Sequence, residues 1–103
     1  MQVTVSARHE VVLDEPLRER AHTMLNGLGR FGAGFMEATA VFDHAAGNHR
    51  VEVRLHRAVG ATPIIATAEG IDFRSALDAV EGKLRRQLER SRRHTSQRRH
   101  VSA

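Results

Sequence analysis

The sequence contains no cysteine, no tryptophan and no tyrosine, and only two of its 103 residues are proline. Without cysteine, disulfide bonds, thiolate metal ligands and cysteine nucleophiles are all excluded, which fits a reducing cytoplasm. No apolar run approaches the ~20 residues of a membrane-spanning helix, and the amino terminus lacks a charged segment followed by an apolar one. We therefore expect a soluble cytoplasmic protein that does not bind membranes.

Lysine is also scarce, because fifteen of the sixteen cationic residues are arginine. Their distribution is uneven. Residues 1–82 contain eight Arg and eleven Asp or Glu, a balance of −3, whereas residues 83–103 contain eight Lys or Arg and one Glu, a balance of +7. Arginine makes planar, bidentate contacts with phosphate, while lysine offers a point charge. A polyanion is therefore the expected class of partner.

Two periodicities alternate along the chain. Apolar residues at every second position predict strands, and apolar residues at helical spacing predict helices. Asp14 and Asp72 stand where helix N-caps are expected, and glycines at 27, 29, 32 and 34 predict fraying where the first helix ends. The predicted elements are a strand at 2–8, a helix at about 14–29, strands at 37–44, 49–57 and 64–70, and a helix from 73 to about 93.

This order predicts an α+β fold, β-α-β-β-β-α, with one four-stranded sheet and both helices packed on one face. The length suits one domain, at residues 1–93. Residues 94–103 are basic and carry no apolar periodicity, so we expect them to form a flexible tail.

The second helix separates its residues by type. Its apolar residues form one stripe, and on the opposite side Lys83, Arg86, Arg90 and Arg93 recur at helical spacing. We call these four residues the basic ridge. Most charged helix faces only keep a domain soluble, but this one contains no acid and continues towards Arg98 and Arg99. The pattern therefore favours nucleic acid as the partner.

The kind of nucleic acid follows from the shortage of aromatic residues. RNA readers that use a sheet stack bases on exposed aromatic rings, and the open face of this sheet would present Thr, Val, Glu, Arg, His and Ile instead. Recognition of structured RNA by its shape and phosphates fits better.

Other motifs carry less weight. Residues 27–32 match G-x-G-x-x-G, but they close a helix, whereas a dinucleotide fingerprint opens one after a strand. The seven histidines form no H-x-x-x-H pair, and His49 and His56 point to opposite faces of one strand, so we expect no metal site. No G-x-S-x-G elbow is present. We expect neither catalysis nor a cofactor nor a small-molecule substrate.

Several segments resemble the family of ribosome hibernation-promoting factors and protein Y. The family's signature around the second helix is matched by EGID at 69–72, ALD at 76–78 and KLRRQL at 83–88. The opening MQVTVS, the LRE at 17–19 and the HRVEVRLH at 49–56 agree with it as well. The resemblance covers residues 1 to about 93.

The resemblance implies the same β-α-β-β-β-α fold and a monomeric protein that binds small-subunit ribosomal RNA in the decoding region and silences translation under stress. It assigns RNA contacts to Lys83, Arg86 and Arg90. The chain departs from the family by having Met24 and Gly27 where lysines are usual, and by placing an arginine where an aromatic residue is usual. The further candidate contacts are Arg8, Arg30, Arg74, Arg93, Arg98 and Arg99.

Two hypotheses remain open at this point. The first is a ribosome-binding silencer of translation, whose partner is the small ribosomal subunit and its RNA. The second is a general module that binds structured RNA through the same basic ridge. Preference for ribosomes over other structured RNA distinguishes them.

Overall fold

Four strands and two helices make up the computed structural model, which describes residues 1–31, 34–57 and 62–102. Side chains are described within these ranges except at Phe31 and residues 91–102. The elements are strand β1 (Gln2–Ala7), helix α1 (Glu15–Phe31), strands β2 (Glu37–Ala45), β3 (Asn48–His56) and β4 (Ile64–Gly70), and helix α2 (Phe73–Ser102). Their order confirms the predicted β-α-β-β-β-α arrangement.

The strands form one mixed sheet in the order β1-β2-β3-β4. Strand β1 pairs with β2 in parallel, with Val5 opposite Ala40, and the other two pairings are antiparallel. A parallel pair needs a crossover connection, and α1 provides it. The sheet edges are consequently β1 and β4.

Both helices pack on one face of the sheet, as predicted. Helix α1 contacts β1 and β2, α2 contacts β3 and β4, and the helices contact each other. Alternate residues of β2, β3 and β4, and Val5 of β1, are buried beneath them. The side chains that fill this core include Val5, Phe42, Val51, Val53 and Leu55 from the sheet and Leu25, Leu28, Leu77, Leu84 and Leu88 from the helices. The other sheet face is not covered by either helix.

Aspartates cap both helices at the positions predicted. The Oδ1 atom of Asp14 accepts a hydrogen bond from the Leu17 amide at 2.9 Å, and that of Asp72 accepts one from the Ser75 amide at 2.7 Å. The second bond is the main reason that the pKa of Asp72 lies below its ordinary value. Because β1 and β4 run parallel and each precedes a helix, α1 and α2 start at the same end of the sheet.

Helix α1 is longer than the sequence predicted. It passes through Gly27 and Gly29 without a break and ends at Phe31. Buried Leu25 and Leu28 anchor this last part to the core, so tertiary packing outweighs the weak helix propensity of glycine. The backbone at Gly29 also lies against the Met1 side chain, where an ideal Cβ would come within 2.6 Å of the Met1 Cε. Of the four glycines, Gly32 lies outside the described residues.

Helix α2 also continues past its predicted end near residue 93, through Ser102. The sequence from 83 to 102 contains no glycine and no proline, and arginine and glutamine are good helix formers, so no residue in it breaks the helix. The apolar stripe was a poor guide to the end, because the helical backbone continues after that stripe stops. Fraying of the tail in the free protein stays a prediction.

Candidate nucleic-acid interface

Helix α2 presents opposite faces to the sheet and to solvent. Leu77, Val80, Leu84 and Leu88 are fully buried against the core. On the far side, Lys83, Arg86 and Arg90 are all exposed and follow one another at three-residue and four-residue spacing. The structure therefore brings together these three residues of the predicted basic ridge on one surface.

Lys83 fixes the direction in which the basic ridge faces. Its Nζ donates a hydrogen bond to the backbone oxygen of Thr67, in the edge strand β4, at 2.7 Å. The ridge consequently lies along the outer side of α2, above the β4 edge and away from α1. One of the three ammonium protons of Lys83 is used in this contact, which sequence periodicity could not foresee.

Arg86 and Arg90 differ from Lys83 in their surroundings. Neither forms a hydrogen bond or ion pair with any residue in the described part of the chain. The Arg86 guanidinium lies over Gly82, with one nitrogen 3.5 Å from the place where a Cβ would stand. By contrast, Arg85 on the flank pairs with Glu81 at 3.0 Å. Both ridge arginines are thus available to donate to an external acceptor such as phosphate.

The remaining predicted contacts on the two helices lie elsewhere. Arg93, Arg98 and Arg99 belong to the helical backbone of α2, but their side chains are outside the described residues. Arg30 is exposed in the last turn of α1. Since the ridge faces away from α1, Arg30 does not extend it.

Arg8 and Arg74 stand at the opposite end of the sheet from Arg30. Arg8 directly follows β1, and its amide donates to the Phe42 backbone oxygen at 2.9 Å. Arg74 is the second residue of α2. Both are exposed, and neither forms an ion pair with the residues that the structure describes. Arg74 is separated from the start of the ridge by about 14 Å of helix, at 1.5 Å per residue.

A cluster of rings lies at this same end, which sequence reasoning missed. Phe73, at the start of α2, stacks nearly parallel to His44, with 5.4 Å between ring centroids and 18° between ring planes. The His49 and Phe42 rings meet Phe73 edge-on, at 4.6 and 5.4 Å. The sequence did contain a signal for part of this cluster, because a two-residue hairpin loop places His44 opposite His49 across β2 and β3.

Asp43 is the one buried charged residue in the described part of the chain. Its Oδ1 accepts hydrogen bonds from His9 Nδ1 at 2.7 Å and from the His44 amide at 2.8 Å, and Arg50 lies 3.4 Å from Oδ2. The His9 hydrogen bond is the largest cause of the lowered pKa of Asp43. These bonds anchor the β1–α1 turn, where His9 and Glu10 both have positive φ.

An ion pair crosses the groove between the helices. Arg20 of α1 pairs with Asp78 of α2, and this hydrogen bond is the main reason that the pKa of Arg20 is raised. No group of three or more His, Asp or Glu able to hold a metal ion occurs within the described ranges. Nor is any helix in this part of the chain both long and apolar enough to cross a membrane.

Residues 3–96 match the sequence pattern of the family described as sigma 54 modulation protein / S30EA ribosomal protein. The chain belongs to this family. The resemblance to hibernation-promoting factors and protein Y is therefore confirmed, and the family is ribosome-associated. No curated protein matches the chain at a significant level of similarity.

Two solved structures share the fold of this family member. One is the Protein Y N-terminal domain of Thermus thermophilus, with a TM-score of 0.71 and 22% identity over 87% of this chain and 98% of that one. The other is a ribosomal subunit interface protein from Coxiella burnetii, with a TM-score of 0.76 and 19% identity over 89% of this chain and 98% of that one. These similarities concern the fold.

Proposed function

We propose that this protein is a ribosome hibernation factor, which binds the RNA of the small ribosomal subunit in the decoding region and silences translation under stress. One observation carries the proposal: the exposed, acid-free surface formed by Lys83, Arg86 and Arg90 on the outer side of α2. Membership of a ribosome-associated family supports a ribosomal partner. A protein that occupies the decoding region would exclude transfer RNA and messenger RNA, and it would act in the cytoplasm without a cofactor.

The chemistry of the surface suits RNA phosphates. Arg86 and Arg90 have donors that are not engaged within the described residues, and a phosphate can accept two of them at once. The spacing of the ridge, three or four residues per step, corresponds to about 5 Å, which is close to the separation of successive phosphates along one RNA strand. Contacts with phosphates fix position and affinity without reading sequence. The RNA would then be recognised by its shape.

Co-sedimentation tests the partner. The full chain is mixed with small ribosomal subunits or with an equal mass of unrelated structured RNA, and the bound fraction is measured in each pellet. We expect clear preference for the subunits. Equal binding to both would instead support the general RNA-binding module that uses the same basic ridge.

Salt dependence tests the mechanism. Neutralising about four phosphates with the basic ridge gives a slope of roughly −3 to −4 in a plot of log affinity against log salt concentration. We expect the measured slope for small subunits to be at least this steep. A slope near zero would contradict electrostatic binding. Inhibition of translation in a cell-free system, relieved by excess transfer RNA, would test the decoding-region part of the proposal.

A further inference from the structure

The basic ridge accounts for only one end of α2, while the other end combines aromatic rings with arginines. The His44 ring is exposed, and Phe73 and His49 support it from beneath and from the side. Phe35 and Phe42 are buried and Phe73 is only partly so. Among the phenylalanines whose side chains are described, Phe73 is therefore the one associated with an accessible aromatic surface.

Arg74 lies beside these rings in the chain, and Arg8 is joined to the same strand through its backbone. The amide of Arg8 is bonded to Phe42, two residues before His44. Arg74 directly follows Phe73 and lies near enough to Asp72 to help lower the pKa of that carboxyl group. Neither arginine forms an ion pair with the described residues, although acidic side chains are present at this end. The exposed Arg74 guanidinium can therefore bind an external anion beside the rings.

The cluster also contains an unsatisfied polar atom. His49 Nδ1 is buried and has no hydrogen-bond partner within the described part of the chain. Buried polar atoms in proteins are nearly always bonded, to other protein atoms or to water. His49 also lines the groove between the helices, together with Phe73 and Arg74. The orphaned atom thus belongs to a residue at the edge of an accessible cavity.

An exposed ring with an arginine beside it suits a particular ligand. Every nucleobase has a flat face that stacks on histidine or phenylalanine, and the adjoining phosphate pairs with arginine. A base within a duplex offers no free face, so the ligand is an unpaired nucleotide. We propose that His44, supported by Phe73, stacks on an unpaired base of the bound RNA while Arg74 holds the neighbouring phosphate.

This inference rests on the proposed function, and it adds a second contact to the basic ridge. The ridge begins at Lys83, about 15 Å along α2 from Phe73. A continuous RNA can cover this distance within a few nucleotides. The ridge would grip the phosphates of a structured region, and the ring cluster would take a base from an adjacent loop or bulge.

The test compares single-stranded and double-stranded RNA. Fluorescence anisotropy measures binding of the full chain to a labelled uridine hexanucleotide and to a duplex of equal length. We expect His44→Leu, which keeps an apolar side chain against Phe73, to weaken hexanucleotide binding about 5–10-fold, the lower part of the range for base–aromatic stacking. Arg74→Gln should give a similar loss. Duplex binding should stay unchanged in His44→Leu, because a paired base offers no free face for stacking.

His56→Leu is the matched control, because His56 lies on the same sheet at the opposite end, in the pair with Glu37. It should leave binding to the hexanucleotide unchanged. In the unaltered protein, the ring protons of His44 should also shift in the NMR spectrum on addition of the hexanucleotide, while those of His56 do not. This second measurement holds even if a variant folds poorly.

The outcomes separate this inference from the proposed function. If His44→Leu binds the hexanucleotide as well as the original protein and the His44 protons do not shift, the ring cluster is structural and the inference is wrong. If Arg86→Ala combined with Arg90→Ala leaves binding to ribosomal subunits intact, the proposed function fails. The stacking site would still be supported if hexanucleotide binding continued to depend on His44.

Discussion

The two ends of α2 use charge in different ways. Around Lys83, Arg86 and Arg90 the cations are exposed and have few partners, so they contribute little to the fold. At the amino-terminal end, charged and aromatic side chains interlock: Asp72 caps the helix, Phe73 packs on two histidines, and Asp43 holds the adjoining turn. Binding can therefore be removed from the first end without harming stability, whereas changes at the other end affect the stability of the fold.

The largest effect is expected from the basic ridge. Changing Lys83, Arg86 and Arg90 together to Ala removes three cations from one surface, and a net loss of about 1 kcal/mol for each contact corresponds to roughly 100-fold weaker binding to small subunits. Exposed residues usually cost under about 0.5 kcal/mol each in folding stability. Co-sedimentation and urea unfolding measure the two quantities.

The matched control for this variant lies on the same helix. Arg85→Ala removes a cation that pairs with Glu81 on the flank, outside the basic ridge. It should weaken binding far less than the triple change. A triple variant that unfolds would mean that the ridge helps to hold α2 on the sheet, which would remove the contrast between the two ends.

Removing the tail should have a smaller effect on binding. Deleting residues 94–103 takes away Arg98 and Arg99, so the salt slope of subunit binding should become less steep by up to about two. Ordering these ten residues on RNA costs ~1–2 kcal/mol each for the backbone, which offsets much of the gain from two charged contacts. We therefore expect only a modest loss of affinity.

The melting temperature of the free protein should not change with this deletion, because no apolar residue of the core lies beyond Leu88 among the described side chains. Differential scanning calorimetry of the two proteins measures it. A lower melting temperature would show that the helical extension packs on the domain, and an unchanged salt slope would show that the tail does not reach RNA.

Replacing Lys83 alone should weaken binding less than replacing Arg86 alone, although both residues belong to the basic ridge. Its ammonium group already donates to Thr67, so part of its capacity is used within the protein. Lys83→Met should weaken subunit binding by less than half as many kcal/mol as Arg86→Met, and it should speed hydrogen exchange in β4. Equal losses of affinity would show that the Thr67 contact is given up when RNA binds.

Much of this arrangement could be predicted from the sequence because its determinants are local. Alternating Val and Ala residues specify strand faces, Asp14 and Asp72 specify helix starts, and helical spacing groups Lys83 with Arg86. The predicted carboxyl-terminal ends of both helices came too early. The end of α1 depends on packing at Leu28, and the end of α2 depends on the absence of a helix breaker after the apolar stripe. Such context is not contained in periodicity.

The contacts that were missed all join residues distant in sequence. His9 bonds to Asp43, Lys83 to Thr67, and Phe73 stacks on His44. Each pairing requires the strand register and the position of a helix over the sheet, which follow only once the whole domain is assembled. The predicted RNA contacts therefore combined residues of one surface with Arg8 and Arg74, which lie elsewhere. The surroundings of these two arginines became clear only from the fold.

Replacing Asp43 should have the smallest effect on ribosome binding. This residue lies near the amino-terminal end of α2 and stabilises the fold. Asp43→Asn keeps the size and one acceptor oxygen but removes the negative charge that faces His9 and Arg50. In the unfolded chain this carboxyl group has its ordinary pKa of 3.8, and the pKa in the folded protein is lower. Ionised Asp43 therefore stabilises the folded protein at pH values well above 3.8. This contribution is lost as the pH falls through the pKa of the folded protein.

The difference in urea midpoint between the original protein and Asp43→Asn should accordingly be constant around neutral pH and should shrink once the pH falls below about 4. Glu10→Gln, an exposed change in the same turn, is the control and should show no such difference. Subunit affinity near neutral pH should stay the same, since Asp43 is buried and away from the basic ridge. A stability difference that persists undiminished in acid would mean that Asp43 acts through its shape and hydrogen bonds, because only a charge can be titrated away.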